Sequence, residues 1–349
     1  MRPGLPVEQV LEAGVGVEAQ VMRGSQVLAT DVPIKDVSVD WTEDSKNPES
    51  VKFTSPLSWL PADPIDPLNN FGQRVQIVSL MQHAGQTVRT SLGWFQIASW
   101  DKADDGVKVT ATGLWQLLID NPMNWPSSPP AGATVASELR RLCSFGNEAG
   151  LPVILDGVAD SPVDRSLQWG TDRAGAVTDL CAAYGLACKV QPDGYLHVFP
   201  VLDGARPVAH YTARDLLLEV SKASTPRRPN RWTVTGGTNG QKKFHGRARH
   251  DSFPFEPSGY GIVNARSEVA AATSQAQVDK AALDAMKADL YVASTRSFEM
   301  VTDPRIEGSD VISVITEDGE PIVGRVTGYS MSLDDPSSRM RVDVEELQW

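Results

Sequence analysis

Between Leu167 and Val201 the chain reads LQWGTDRAGAVTDLCAAYGLACKVQPDGYLHVFPV, and its punctuation leaves little freedom in what it can form. Val177, Leu180, Cys181 and Tyr184 recur at i, i+3, i+4 and i+7, the spacing of one helix face, with Thr171 or Asp172 as N-cap. Gly185 can take the left-handed conformation that closes a helix, after which Leu186 to Val190 run extended. In Pro192-Asp193-Gly194, proline presets the first turn torsion and glycine supplies a positive φ, so the chain reverses. Tyr195, His197 and Phe199 then line one face of a returning strand, with Leu196 and Val198 on the other. Cys181, Cys188 and His197 lack a fourth ligand and any usual metal spacing; they read as two small buried thiols and a strand histidine.

Around this helix and hairpin, strands dominate. From Val15 to about Thr112 apolar and polar residues alternate in short runs: Val17 to Arg23, Val27 to Thr30, Ile34 to Trp41, Arg74 to Leu80, Thr87 to Ala98 and Val107 to Thr112. Residues 56–72 carry Pro56, Pro61, Pro64 and Pro67, too many for a sheet interior, and read as a long ordered loop. So many short strands in a meander imply a barrel or sandwich, whose edges must be closed or covered. At Gly113 the pattern changes to a short helix, which Pro122 ends; Thr134 then caps another helix with Val135, Leu139, Leu142 and Cys143 on its buried side. Near the C-terminus Ser274-Gln275-Ala276-Gln277 resembles a capping box opening the longest helix, to about Val292, and strands resume from Arg296 to Leu347.

A length of 349 residues accommodates two or three domains. The net charge of −12 argues against general nucleic-acid binding. Three cysteines do not make a disulfide framework, so folding in a reducing cytoplasm is expected. No signal-peptide core opens the chain and no apolar run approaches a membrane span, so a soluble protein is expected.

Against that acidity, residues 221–250 hold eight Lys or Arg and no acid. The run supplies the candidate interface residues Arg227, Arg228, Arg231, Lys242, Lys243, Arg247 and Arg249. Its one tryptophan, Trp232, is a sparse stacking platform for nucleic acid; contact with an acidic subunit, or a plain solvated face, fits better. No nucleophile elbow, zinc helix, calcium loop or phosphate loop is present: residues 236–243 lack the Ser or Thr after the lysine, and His250-Asp251-Ser252 is contiguous, unlike a catalytic triad. Asp104-Asp105 and Asp334-Asp335 sit in turns, where solvated acids belong. The expectation is a scaffold rather than an enzyme, with no catalytic residue, cofactor or metal.

Several segments, in their order, resemble the minor tail proteins of long-tailed actinobacterial phages. They are Asp31 to Trp41 leading into the Ser-Pro loop, Asp66-Pro67-Leu68-Asn69-Asn70-Phe71-Gly72-Gln73-Arg74-Val75, the central helix and strand with Pro192 to Val198, Pro229-Asn230-Arg231-Trp232-Thr233-Val234, the helix start at Gln275, and Pro304-Arg305-Ile306-Glu307-Gly308-Ser309-Asp310-Val311. The resemblance covers most of the chain. It implies a baseplate-hub-like tail-tip protein of α+β, β-rich class, with two tube-protein-like β-barrels, an inserted α/β domain and one long helix. By this analogy the first barrel comprises 1–112 plus 200–222, the insert 113–199, and the second barrel 223–349 with helix 274–292. The implied assembly is a homotrimeric ring closing the distal tail tube of the virion, adapting six-fold to three-fold symmetry. Its implied partners are the tube or distal tail protein and other tail-tip proteins, with DNA passing transiently through the channel. A lysozyme-like or peptidase domain of the kind appended to some hubs is not expected from this sequence, which leaves a purely structural role as the expectation. Two alternatives are a receptor-binding module using Trp59, Trp94, Trp100 or Trp125 on cell-wall sugar, and a tail-associated hydrolase.

Overall fold

The computed structural model describes residues 1–347 except 11, 44, 146–149, 201–205, 213–216, 224–227, 238–242, 270–271, 273 and 336–338. After a single helical turn, α1 (Val7–Val10), seven strands follow: β1 (Gly14–Arg23), β2 (Gln26–Ala29), β3 (Lys35–Thr42), β4 (Glu49–Ser55), β5 (Gln73–His83), β6 (Gln86–Ala103) and β7 (Gly106–Gly113). All pair antiparallel, in the order β3-β4-β7-β6-β5-β1-β2. Their alternation places Val75, Ile77, Met81, Phe95, Ile97, Val107 and Val109 in the core. Where the β5 partner jumps from Gly93 to Ser91, the extra residue Leu92 is 2% exposed, and Gly93 takes φ +134°. Such a bulge bends the longest strand.

The insert follows with α2 (Gln116–Asp120), α3 (Val135–Cys143), β8 (Val153–Leu155), α4 (Arg173–Ala183), β9 (Leu186–Val190) and β10 (Leu196–Pro200). Asp172 caps α4 by accepting from the Gly175 N–H at 2.9 Å, and Thr134 and Ser137 form a reciprocal box on α3. Gly185 and Gly194 have φ +67° and +85°, as helix closure and the Pro192-Asp193-Gly194 turn require. β10 lies between β8 and β9, and a separate apolar cluster from Leu114 to Val198 unites these elements.

Two short strands come next, β11 (Ala209–Thr212) and β12 (Leu217–Ala223). Then β13 (Arg231–Gly236), β14 (Phe244–Arg249) and β15 (Asn264–Val269) make a three-stranded sheet under α5 (Gln275–Tyr291). The chain ends in β16 (Val292–Val301), β17 (Val311–Ile315), β18 (Pro321–Ser332) and β19 (Arg339–Leu347). Ser274 and Gln277 form the box that opens α5, each backbone N–H donating to the other's side chain.

The strands within 200–222, expected with the first barrel, instead join the C-terminal strands: β11 pairs parallel with β17, and β12 antiparallel with β16. Alternation within a four-residue strand carries no record of its partner, and here the partner lies about a hundred residues downstream. The N- and C-terminal halves are also continuous. β18 pairs with β3 from Gly328↔Thr42 to Ser332↔Ser38, and one hydrophobic cluster runs from Leu5 to Val344 through both. Two of the segments carrying the family resemblance meet at this seam. The Trp41 ring lies against Gly308, where a Cβ would come within 2.1 Å of it, and stacks on Tyr329 at 6.1 Å between ring centroids.

Candidate interaction surface

The basic run folds onto the small sheet. In β13, Trp232 and Val234 alternate with Thr233 and Thr235, and the former pair is buried beneath α5. The neighbouring strand offers Phe244, Gly246 and Ala248 to the same helix. At Gly246 an added Cβ would lie 2.0 Å from the Val278 carbonyl oxygen, so the helix backbone rests directly on this strand. The Trp232 indole N–H donates to the Asp289 carboxylate on α5. Trp232 is 2% exposed and serves the core, so it offers no platform for a nucleic-acid base.

The pleat turns every other residue to the opposite face, and the register collects them there. Arg231 lies between Arg249 and Asn264, Thr233 between Arg247 and Arg266, and Thr235 between His245 and Glu268. Arg247, Arg249 and Arg266 are exposed. Acids share this face with the cations: Glu268 is exposed on β15, and Asp251 takes Arg231 at 2.6 Å and Arg249 at 3.5 Å. Among the described residues Arg247 and Arg266 form no ion pair. Of the other residues expected here, Arg228 stacks over the Phe255 ring at 5.2 Å, and Lys243 is exposed just before β14. Arg227 and Lys242 lie outside the described residues. Arg266 comes from beyond the basic run; the parallel pairing of β15 with β13 brings it into the face, and nothing in the local charge pattern marks it.

The loop joining β14 to β15 borders the arginine face at the Arg231 end. Asn230, fully buried, fixes it by donating to the Phe255 and Gly261 carbonyls, both at 2.8 Å, and accepting from the Val263 N–H at 3.0 Å. Phe253 and Ile262 project from this held loop, 86% and 63% exposed.

A second feature is a cavity of about 520 Å³ where α4 and β9 of the insert face β3, β4 and the 307–309 segment. Arg2, Glu49, Lys189 and Glu307 line it. The Arg2 guanidinium donates to the Ile306 carbonyl at 2.6 Å, and Lys189 reaches Glu307 at 3.7 Å. Burial pushes the Glu49 carboxyl up to about 7, against the opposing pull of Arg2. Cys181 and Cys188 also line the cavity; the thiol hydrogen bond between them holds Cys188 below the usual thiol range and Cys181 above it. Burial raises Cys143 to about 12. His197 lies elsewhere on the insert, its Nδ1 2.7 Å from Asp156 and its Nε2 2.9 Å from Asp193. Among the described residues no three His, Cys, Asp or Glu side chains gather in a way that holds a metal ion, and no helix is long and apolar enough to cross a membrane.

Of the tryptophans considered for sugar stacking, Trp59, Trp94 and Trp100 are packed against the apolar clusters. Trp125 is 80% exposed.

No family model matches the chain, and no curated protein does. Solved structures do match over most of its length. The tail protein from Neisseria meningitidis MC58 superposes with a TM-score of 0.64, covering 95% of this chain and 96% of that one at 16% identity. Prophage tail protein gp18 from Listeria monocytogenes EGD-e gives 0.56, covering 94% of each chain at 13% identity. The 43 kDa tail protein of prophage MuSo2 from Shewanella oneidensis gives 0.56, covering 94% and 98% at 12% identity. The chain shares the fold of these tail proteins.

Proposed function

We propose that the chain is a structural phage tail-tip protein, a baseplate-hub subunit that assembles as a homotrimeric ring closing the distal tail tube. The observation that carries this reading is the shared fold, which spans nearly the whole of both chains and so includes the insert and the α5 unit as well as the large sheet. The order of sequence segments resembling minor tail proteins supports it independently. In this reading the two halves joined by β3 and β18 act as paired barrel-like units, so three subunits present six to the tube and three-fold symmetry to the tip. The partners are the tube or distal tail protein and other tail-tip proteins, DNA crosses the ring in passing, and the protein belongs to the virion. It works by assembly, without catalysis or cofactor.

The arginine face then serves as a contact for an acidic neighbour. It is the chief concentration of positive charge on a chain of net charge −12, and its tryptophan faces inward, away from any polyanion. Image averages of isolated tails, with a tag on this chain, test the reading. A three-fold density at the distal end is expected; label along the shaft, or none on the particle, overturns it.

One observation favours a second reading, in which the tip also touches cell-wall sugar through Trp125, exposed on the insert. Binding of the purified chain on a glycan array, lost in Trp125→Ala, would support that role; an empty array removes it.

A further inference from the structure

The arginine face has a counterpart on the same molecule. Among the described residues, five of the large apolar side chains most exposed to solvent fall into two groups. One is the Phe253 and Ile262 pair beside the arginines. The other is Leu57, Ile65 and Phe71, at 45%, 64% and 56% exposure, on the proline-rich loop between β4 and β5. This loop is as firmly held as the first. Gln73, fully buried, donates to the Pro64 and Asp66 carbonyls at 2.8 and 2.9 Å. The Asp66 carboxylate accepts from the Asp63 and Ala62 N–H groups, which hold it below the usual carboxylate range.

The charge around the second group is opposite in sign. Asp63 lies exposed in the loop, and the β6–β7 hairpin beside it carries Asp101, Asp104 and Asp105, all exposed. Gly106 of that hairpin abuts Ser55 at the start of the loop, and Trp100 on β6 donates to Asn69 within it at 3.3 Å. Lys102, Lys108 and Arg23 offset part of the charge, Lys108 lying 3.8 Å from Asp105 and the Arg23 Nε donating to the Phe71 carbonyl at 3.0 Å, so acids predominate without excluding cations.

The two groups lie toward different ends of the molecule. β7 begins at the acidic hairpin and its other end leads into the insert, roughly 25 Å away at about 3.3 Å per residue. α4 of the insert is in turn packed against α5 and β15, the unit bearing the arginines. Each surface is an apolar anchor with charged flanks on a preordered loop, the composition of an interface centre.

We propose that these surfaces are the two halves of one contact between copies of this chain, the arginine face and Phe253 of one docking on the acidic loops and Ile65 of the next. A contact between unlike surfaces repeats head to tail, and closes when the rotation per subunit divides a full turn. The inference deepens the ring reading above and rests on it.

The test uses the full chain and its particle mass in solution at low salt. A basic-face variant, Arg247→Glu with Arg266→Glu, and an acidic-face variant, Asp63→Arg with Asp104→Arg, alter exposed side chains for which no ion pair or side-chain hydrogen bond is formed among the described residues. Unchanged thermal unfolding of the separated subunits checks that each variant is folded. Either pair alone is expected to raise the concentration needed for assembly about 100-fold or more, since like charges then meet. All four substitutions in one chain are expected to restore the wild-type particle. Mixing the two variants favours contacts between unlike chains, but a ring of three then keeps one like-charge contact, so the mixture is expected to pair without restoring the closed wild-type particle. Wild-type assembly that neither variant disturbs, or that the fourfold variant fails to restore, overturns the pairing of these faces and leaves the ring itself standing. A wild-type chain that stays monomeric overturns both.

Discussion

Single buried polar groups hold the exposed parts of this molecule in place. Asn230 uses both ends of its amide on the loop that bears Phe253, so Asn230→Ala leaves two carbonyls and an N–H without their partner. A loss of about 1–3 kcal/mol is expected in chemical unfolding, with faster proteolysis between β14 and β15. An unchanged midpoint would mean that water replaces the amide without cost. Glu49 behaves in the opposite sense. Its folded carboxyl titrates near 7, against an ordinary value of 4.5, so the fold favours the protonated form. Stability from this group falls as pH rises from about 4.5 through about 7 and stays lower above that. Glu49→Gln should therefore raise the melting temperature at pH 8 and change it little at pH 4; an equal gain at both would show that burial of the charge is not the cause.

At the scale of elements, local punctuation proved readable and long-range partnership did not. The capped helices α3, α4 and α5, Gly185 and the Pro192-Asp193-Gly194 turn are decided within a few residues of one another, and the structure has each. The pairing of β11 with β17 and of β3 with β18 depends on which strands meet in the collapsed chain, and alternation alone does not encode that. The arginine face was legible in half: the charge run marked Arg231, Arg247 and Arg249, while Arg266 needed the register of a parallel neighbour. Two packing consequences can be measured. Replacing Gly246 with valine forces α5 off β14, because the colliding atom is backbone, and should cost about 1–3 kcal/mol; a neutral effect would mean that α5 shifts freely. His197 joins the end of β8 to the β9–β10 turn through two carboxylates. Burial lowers its pKa, but hydrogen bonds to Asp193 and Asp156 outweigh that and leave it raised above 6.5. The contribution is complete below the unfolded value and is lost as pH climbs through the folded one. His197→Gln should remove this alkaline loss from the unfolding curves of the insert, and persistence of the same slope would assign it to another group.

At the scale of the whole molecule, one sheet joins both halves, the insert and the α5 unit are attached to it as separate clusters, and two charged, apolar-centred surfaces remain uncovered. The cavity beside Glu49 lies between the insert and this sheet, apart from both surfaces. If electrostatic contact helps to hold the assembly, higher salt should loosen it, because exposed charges are screened over about 10 Å at 0.1 M ionic strength. The particle mass of the purified full chain, taken by light scattering across a concentration series at low salt, bears most directly on the account. Three copies of the 37.8 kDa chain per particle are predicted; a mass that stays at one copy at every concentration would contradict it.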